Sequence, residues 1–128
     1  MRRKLLFVSL LALLIILAAC ADKGSPTQAV EAYLQAQVAG DEDKLVSLSC
    51  ASWEEQAIGA AASFRSVDAS IENLACKETG TDGDDTLVRC SGTIVIQYRG
   101  EDPREQPLPD LTYRARQEDG QWKMCGTQ

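Results

Sequence analysis

The chain has 128 residues, with 13 Lys or Arg against 19 Asp or Glu, a formal charge of −6, and no His. That balance argues against a nucleic-acid binder, which needs clustered cations to neutralise phosphates. Without imidazole the chain also has no Ser-His-Asp or Cys-His catalysis and no usual catalytic zinc set, and its length fits one small domain.

Arg2-Arg3-Lys4 is a basic start, and in residues 5–19 only Ser9 is polar. A helix of that length rises about 22 Å, short of the roughly 30 Å hydrocarbon core, so the segment reads as a signal sequence before it reads as a membrane span. It ends in Leu17-Ala18-Ala19-Cys20. This motif resembles the lipobox of bacterial lipoproteins, in which the Cys is lipidated and becomes the N-terminus after cleavage. An ordinary secretory signal and an uncleaved short anchor are the competing readings.

The resemblance implies that residues 1–19 are removed and that Cys20 carries a diacylglyceryl anchor. The protein would then sit on a bacterial cell membrane, facing outside the cytoplasm, with the lipid bilayer as its first partner. Two acyl chains give stable attachment, each buried methylene contributing about 0.8 kcal/mol. Removal leaves 109 residues and, without Arg2, Arg3 and Lys4, a charge of −9. Residues 20–25 form a short tether, in which residues 21–24 reach at most about 14 Å, and residues 26–128 form a single domain.

With Cys20 lipidated, Cys50, Cys76, Cys90 and Cys125 remain in an oxidising compartment, where an even number reads as two disulfides. No two are close enough for the C-x₂₋₄-C spacing of a structural zinc site, so no metal and no cofactor is implied. Four cysteines allow three pairings. The turn-rich acidic stretch at residues 79–85, flanked by Cys76 and Cys90, favours a hairpin with Cys76–Cys90 bonded, leaving Cys50–Cys125. Both read as staples rather than redox centres.

Along the mature chain, Ser25-Pro26-Thr27-Gln28 has the form of a helix start, with Val30, Leu34 and Val38 on one face to about Ala39 and Gly40 as the stop. Asp41 caps a second, short helix through Leu45, Val46 and Leu48. Ser52-Trp53-Glu54-Glu55 repeats the capping pattern and opens a third helix, with Trp53, Ala57, Ala60, Ala61 and Phe64 as its apolar face. The period then becomes extended: a strand at about 67–77 with a register break after Ile71, a second at 86–99, a proline-containing loop at 100–110, a third strand from Leu111 and a last one at 121–125. Three N-terminal helices packed on a curved four-strand antiparallel meander make an α+β fold.

Val30-Glu31-Ala32-Tyr33-Leu34, the Ala39-Gly40-Asp41 break and the closing Glu118-Asp119-Gly120-Gln121-Trp122-Lys123-Met124 hairpin together resemble small bacterial lipoproteins with a nuclear transport factor 2-like (cystatin-like) α+β roll. The resemblance implies a conical domain enclosing a cavity, in a family whose members include enzymes, ligand carriers and domains of unknown role. None of its catalytic positions aligns by motif with this chain.

Three classes of function follow. A non-catalytic binding or interaction module, with a protein or small-molecule ligand, conflicts with nothing in the sequence. The alternative, an isomerase- or dehydratase-type enzyme, needs a pocket carboxylate and a hydroxyl from Tyr33, Tyr98 or Tyr113. Asp82-Gly83-Asp84-Asp85 begins like a calcium loop, but Leu87 and Thr93 stand where that loop needs Gly and Glu, so a solvated turn is expected. The third class is a structural or envelope-interaction lipoprotein without a small ligand, which a cavity filled by Trp53, Phe64, Trp122 and Met124 would favour.

Overall fold

The computed structural model describes residues 23–128; the signal segment expected at residues 1–19 and the expected lipidation site Cys20 lie outside the described residues. Helix α1 spans Pro26–Val38 and is capped at both ends by its own sequence. The Ser25 hydroxyl accepts from the Gln28 N–H at 3.2 Å, and Pro26 occupies the first helical position, where its missing N–H costs nothing. At the other end Gly40, at φ 65°, donates to Gln37 O at 3.0 Å and Asp41 N donates to Ala36 O at 3.1 Å, the paired bonds of a Schellman stop. Between the caps, Val30, Tyr33, Leu34 and Val38 form one buried stripe.

Asp41 then caps α2 (Glu42–Ser47), accepting from Lys44 N at 3.1 Å, and Leu45 is fully buried. The expected capping box at Ser52 does not form. A 3₁₀ turn, Ala51–Trp53, leads instead into α3 (Glu54–Ala62), whose N-cap Trp53 makes no side-chain cap. The competing bonds come from the residue preceding the turn and from the sheet. Cys50 O accepts from Trp53 N at 2.8 Å and Glu118 Oε1 accepts from Ala51 N at 3.1 Å, so this segment is anchored to the sheet rather than to its own hydroxyl.

The strands are β1 (Asp68–Asp82), β2 (Asp85–Gln97), β3 (Arg104–Pro107), β4 (Thr112–Glu118) and β5 (Gln121–Thr127). The sheet is antiparallel and open, in the order β1-β2-β4-β5, and β3 pairs with the distal half of β2. The α+β arrangement is as expected, with a fifth strand inside the segment read as a loop. The first hairpin is also tighter than the sequence implied. Strand pairing continues to Asp82↔Asp85, so the seven-residue acidic turn shrinks to Gly83-Asp84, with Gly83 at φ 60°.

The register break after Ile71 is present as a bulge between Glu72 and Ala75, with Asn73 at φ 53°. It lies against Gly92. A Cβ there would stand 3.2 Å from Glu72 O and 3.3 Å from Leu74 Cα, so a larger residue would push the two backbones apart by a few tenths of an ångström.

Cys50 is bonded to Cys125 and Cys76 to Cys90, with Cα separations of 4.9 and 4.1 Å. Cys76 and Cys90 are direct cross-strand partners. The β4–β5 register steps from Arg114↔Gly126 to Ala115↔Met124, which leaves Cys125 as the extra residue of a bulge. Met124 N donates to Leu48 O and Cys50 N donates to Met124 O, both at 2.8 Å, so residues 48–50 and the disulfide together close the free edge of β5.

Helix α1 packs across the sheet. The core joins Val30 and Leu34 of α1, Leu45 of α2 and Ala57 and Ala61 of α3 to Ile71, Val88, Ile94, Tyr113, Ala115 and Met124 of the sheet. Side chains alternate along β4, so Tyr113 and Ala115 enter this core while Arg114 and Arg116 emerge on the opposite face. There Asp85, only 4% exposed, accepts from Arg114 Nε at 2.8 Å and Arg116 Nε at 2.6 Å, and Arg114 Nη2 also reaches Asp82 at 2.7 Å. The charges that tie the hairpin to β4 are thereby kept off the core-facing side. Among the described residues no helix is long and apolar enough to cross a membrane.

Candidate functional site

Between α1, α3 and the core-facing side of the sheet the packing is incomplete. A cavity of about 250 Å³ remains, walled by all three elements and by the segment 106–111. Its floor is apolar and buried: Leu34 and Val38 from α1, Ile71 and Ile94 from the first hairpin, Met124 from β5. The rim is neutral and polar, with the side chains of Gln37, Gln56, Gln106 and Thr127. Among the described residues, no Asp, Glu, Lys or Arg lines it.

The wall at residues 106–111 is held in place from the sheet. β3 pairs with β2 through Thr93↔Pro107 to Ile96↔Arg104, and Leu108 N donates to Gly92 O at 2.9 Å. Leu108, Pro109 and Leu111 can then overhang the opening, and Leu111 remains 37% exposed.

Two phenols enter the cavity. Tyr33, 3% exposed, accepts the indole N–H of Trp53 at 3.2 Å. Since that bond uses an oxygen lone pair, the Tyr33 proton is left to donate elsewhere. Tyr113, also 3% exposed, lines the same space from β4. Burial raises the pKa of Tyr33, opposed in part by the Trp53 bond; burial also raises that of Tyr113, with a further push from the nearby Tyr33. Both are therefore neutral phenols, and so hydrogen-bond donors, across the physiological range.

Tyr33 and Tyr113 are thus brought together, whereas Tyr98 lies elsewhere, with the Arg104 guanidinium 4.9 Å above its ring. Trp53, Phe64 and Met124 line the cavity without filling it, and Trp122 packs at the margin of the core instead. The acidic runs are used in structure: Asp41 caps α2, Glu42 pairs with Arg65, and Asp82 and Asp85 bind the β4 arginines. Among the described residues no group of three His, Cys, Asp or Glu is placed to hold a metal ion. A shallower groove beside Cys76–Cys90 contains Arg89 and Asp110, which already pair with each other.

The rim glutamines and the Trp53–Tyr33 bond were not legible from sequence. They converge from positions far apart in the chain, and none sits in a local motif. Comparison of the chain with family models, with curated proteins and with solved structures returns no match.

Proposed function

We propose that the protein is a lipid-anchored binding module that faces outward from a bacterial membrane and holds a small ligand in the cavity between its helices and sheet, in the manner of nuclear transport factor 2-like domains. One observation carries this reading: a cavity of about 250 Å³ with a buried apolar floor and a neutral polar rim, the form of a small-molecule site. An isomerase- or dehydratase-type reaction would require a carboxylate base among the lining residues, and none of the described residues lining the cavity carries one.

The anchor and the cavity fit together spatially in this reading. From Pro26 to Gln37 the helix advances about 16 Å, so the rim residue Gln37 lies at the end of α1 remote from the tether. Ligand would enter from the side facing away from the bilayer. A mature charge of −9 would meanwhile disfavour lying flat on anionic lipid.

Expression of Cys20→Ala in a bacterial host tests the anchor. The wild-type protein should take up a fatty-acid probe and remain with membranes after a high-salt wash, and the variant should do neither. A variant that still labels and sediments would overturn the lipoprotein reading.

A further inference from the structure

We infer that the cavity selects an uncharged, one- or two-ring molecule whose hydrogen-bond acceptor, such as a carbonyl oxygen, is met by the hydroxyl of Tyr113. This rests on the binding reading above and specifies its ligand class.

Size sets the first limit. An apolar cavity of about 150 Å³ accommodates a benzene ring, and drug-sized ligands occupy about 300–1,000 Å³. The cavity here, at about 250 Å³, lies between these, which fits a substituted ring or a small bicycle.

Charge sets the second. An ion buried against this lining would lose its water without gaining a counter-charge, since every ionisable side chain other than tyrosine is absent from the wall. The charged network of Asp82, Asp85, Arg114 and Arg116 projects from the other face of the sheet.

The third limit is the polar handle. Tyr113 is 97% removed from solvent, yet its hydroxyl bonds no group among the described residues. No buried side-chain oxygen or nitrogen among them is left both sealed and unpaired, so this hydroxyl opens onto the cavity. A phenol held there without a protein partner is costly to keep dry, and an acceptor on the ligand removes that cost. Tyr33 reinforces the polarity of the site. With its oxygen committed to the Trp53 N–H, its proton is the free end, so a second donor faces the same space. An acceptor on the ligand therefore has two phenolic protons to meet.

The test uses the soluble mature domain, wild-type and Tyr113→Phe, with three probes: acetophenone, ethylbenzene of the same shape without an acceptor, and benzoate as the charged counterpart. Dissociation constants are measured by protein-observed NMR titration. Loss of one neutral hydrogen bond predicts that Tyr113→Phe weakens acetophenone about fivefold and leaves ethylbenzene unchanged, while benzoate fails to saturate either protein. Because the hydroxyl has no partner among the described residues, the melting temperature of the variant should match the wild type. If Tyr113→Phe leaves acetophenone binding unaltered, or if benzoate binds as tightly as the ketone, the ligand class is wrong although the cavity still binds. A marked fall in melting temperature would show the hydroxyl to be structural and would also overturn the inference. Failure of all three probes to bind the wild type would remove the binding reading itself.

Discussion

Replacing Cys50 and Cys125 together by Ala is expected to lower stability by about 4.5 kcal/mol, the chain-entropy value for a loop of this length, against about 3 kcal/mol for Cys76 and Cys90. Those figures compare with a total of about 5–15 kcal/mol for a typical domain, so the first variant should melt on the order of 20 °C lower. The ordering has a second, structural cause. Cys50 leads into the 3₁₀ turn that delivers Trp53 to Tyr33, so its loss also frees the cavity rim, whereas Cys76–Cys90 ties together two strands already paired along their length. Thermal unfolding of the two double variants under oxidising conditions decides this. A larger loss for the Cys76–Cys90 pair would contradict it.

A second effect of substantial size is expected at Asp85. Arg116 first, and Arg114 with it, hold its carboxyl below the usual aspartate range, partly opposed by burial. A folded-state pKa below the unfolded one stabilises the protein at all pH values above the unfolded value, near 3.9. That stability is lost as pH falls through the folded value. Asp85→Asn should therefore cost roughly 1–2 kcal/mol at pH 7, toward the low end because Arg116 is 48% exposed and screened by water. The gap should close as the solution is acidified below pH 4. Denaturant melts of both proteins from pH 7 to pH 2.5 provide the check, and a gap that widens in acid would reverse the assigned sign.

How much of this was legible in the sequence differs from element to element. The caps of α1 were, since Ser25, Pro26 and Gly40 act within one turn of the backbone they terminate. The Ser52 capping box was not, because the competing bonds come from Cys50 and from Glu118, the latter 67 positions away. Strand β3 is not legible for a related reason. Arg104, Glu105, Gln106 and Pro107 are all exposed and carry no apolar alternation, and only the open edge of β2 makes them a strand.

The site shows the same division. Tyr33 and Tyr113 stand out as the hydroxyls available to a cavity, but so does Tyr98, and nothing local separates it from the other two. The neutral rim is a property of three-dimensional convergence: the alternation of β4 sends Arg114 and Arg116 outward and leaves the wall to glutamines from a helix end, a helix start and a short strand.

The chain has two tryptophans, and they offer the most direct measurement of whether this cavity is a ligand site. Trp53 lines it and donates its indole N–H to Tyr33, while Trp122 packs at the core margin outside the lining. In a ¹H–¹⁵N titration with acetophenone, the indole resonance of Trp53 should shift to saturation while that of Trp122 stays in place. A Trp53 resonance that never moves, or two that drift together without saturating, would contradict a binding site in this cavity.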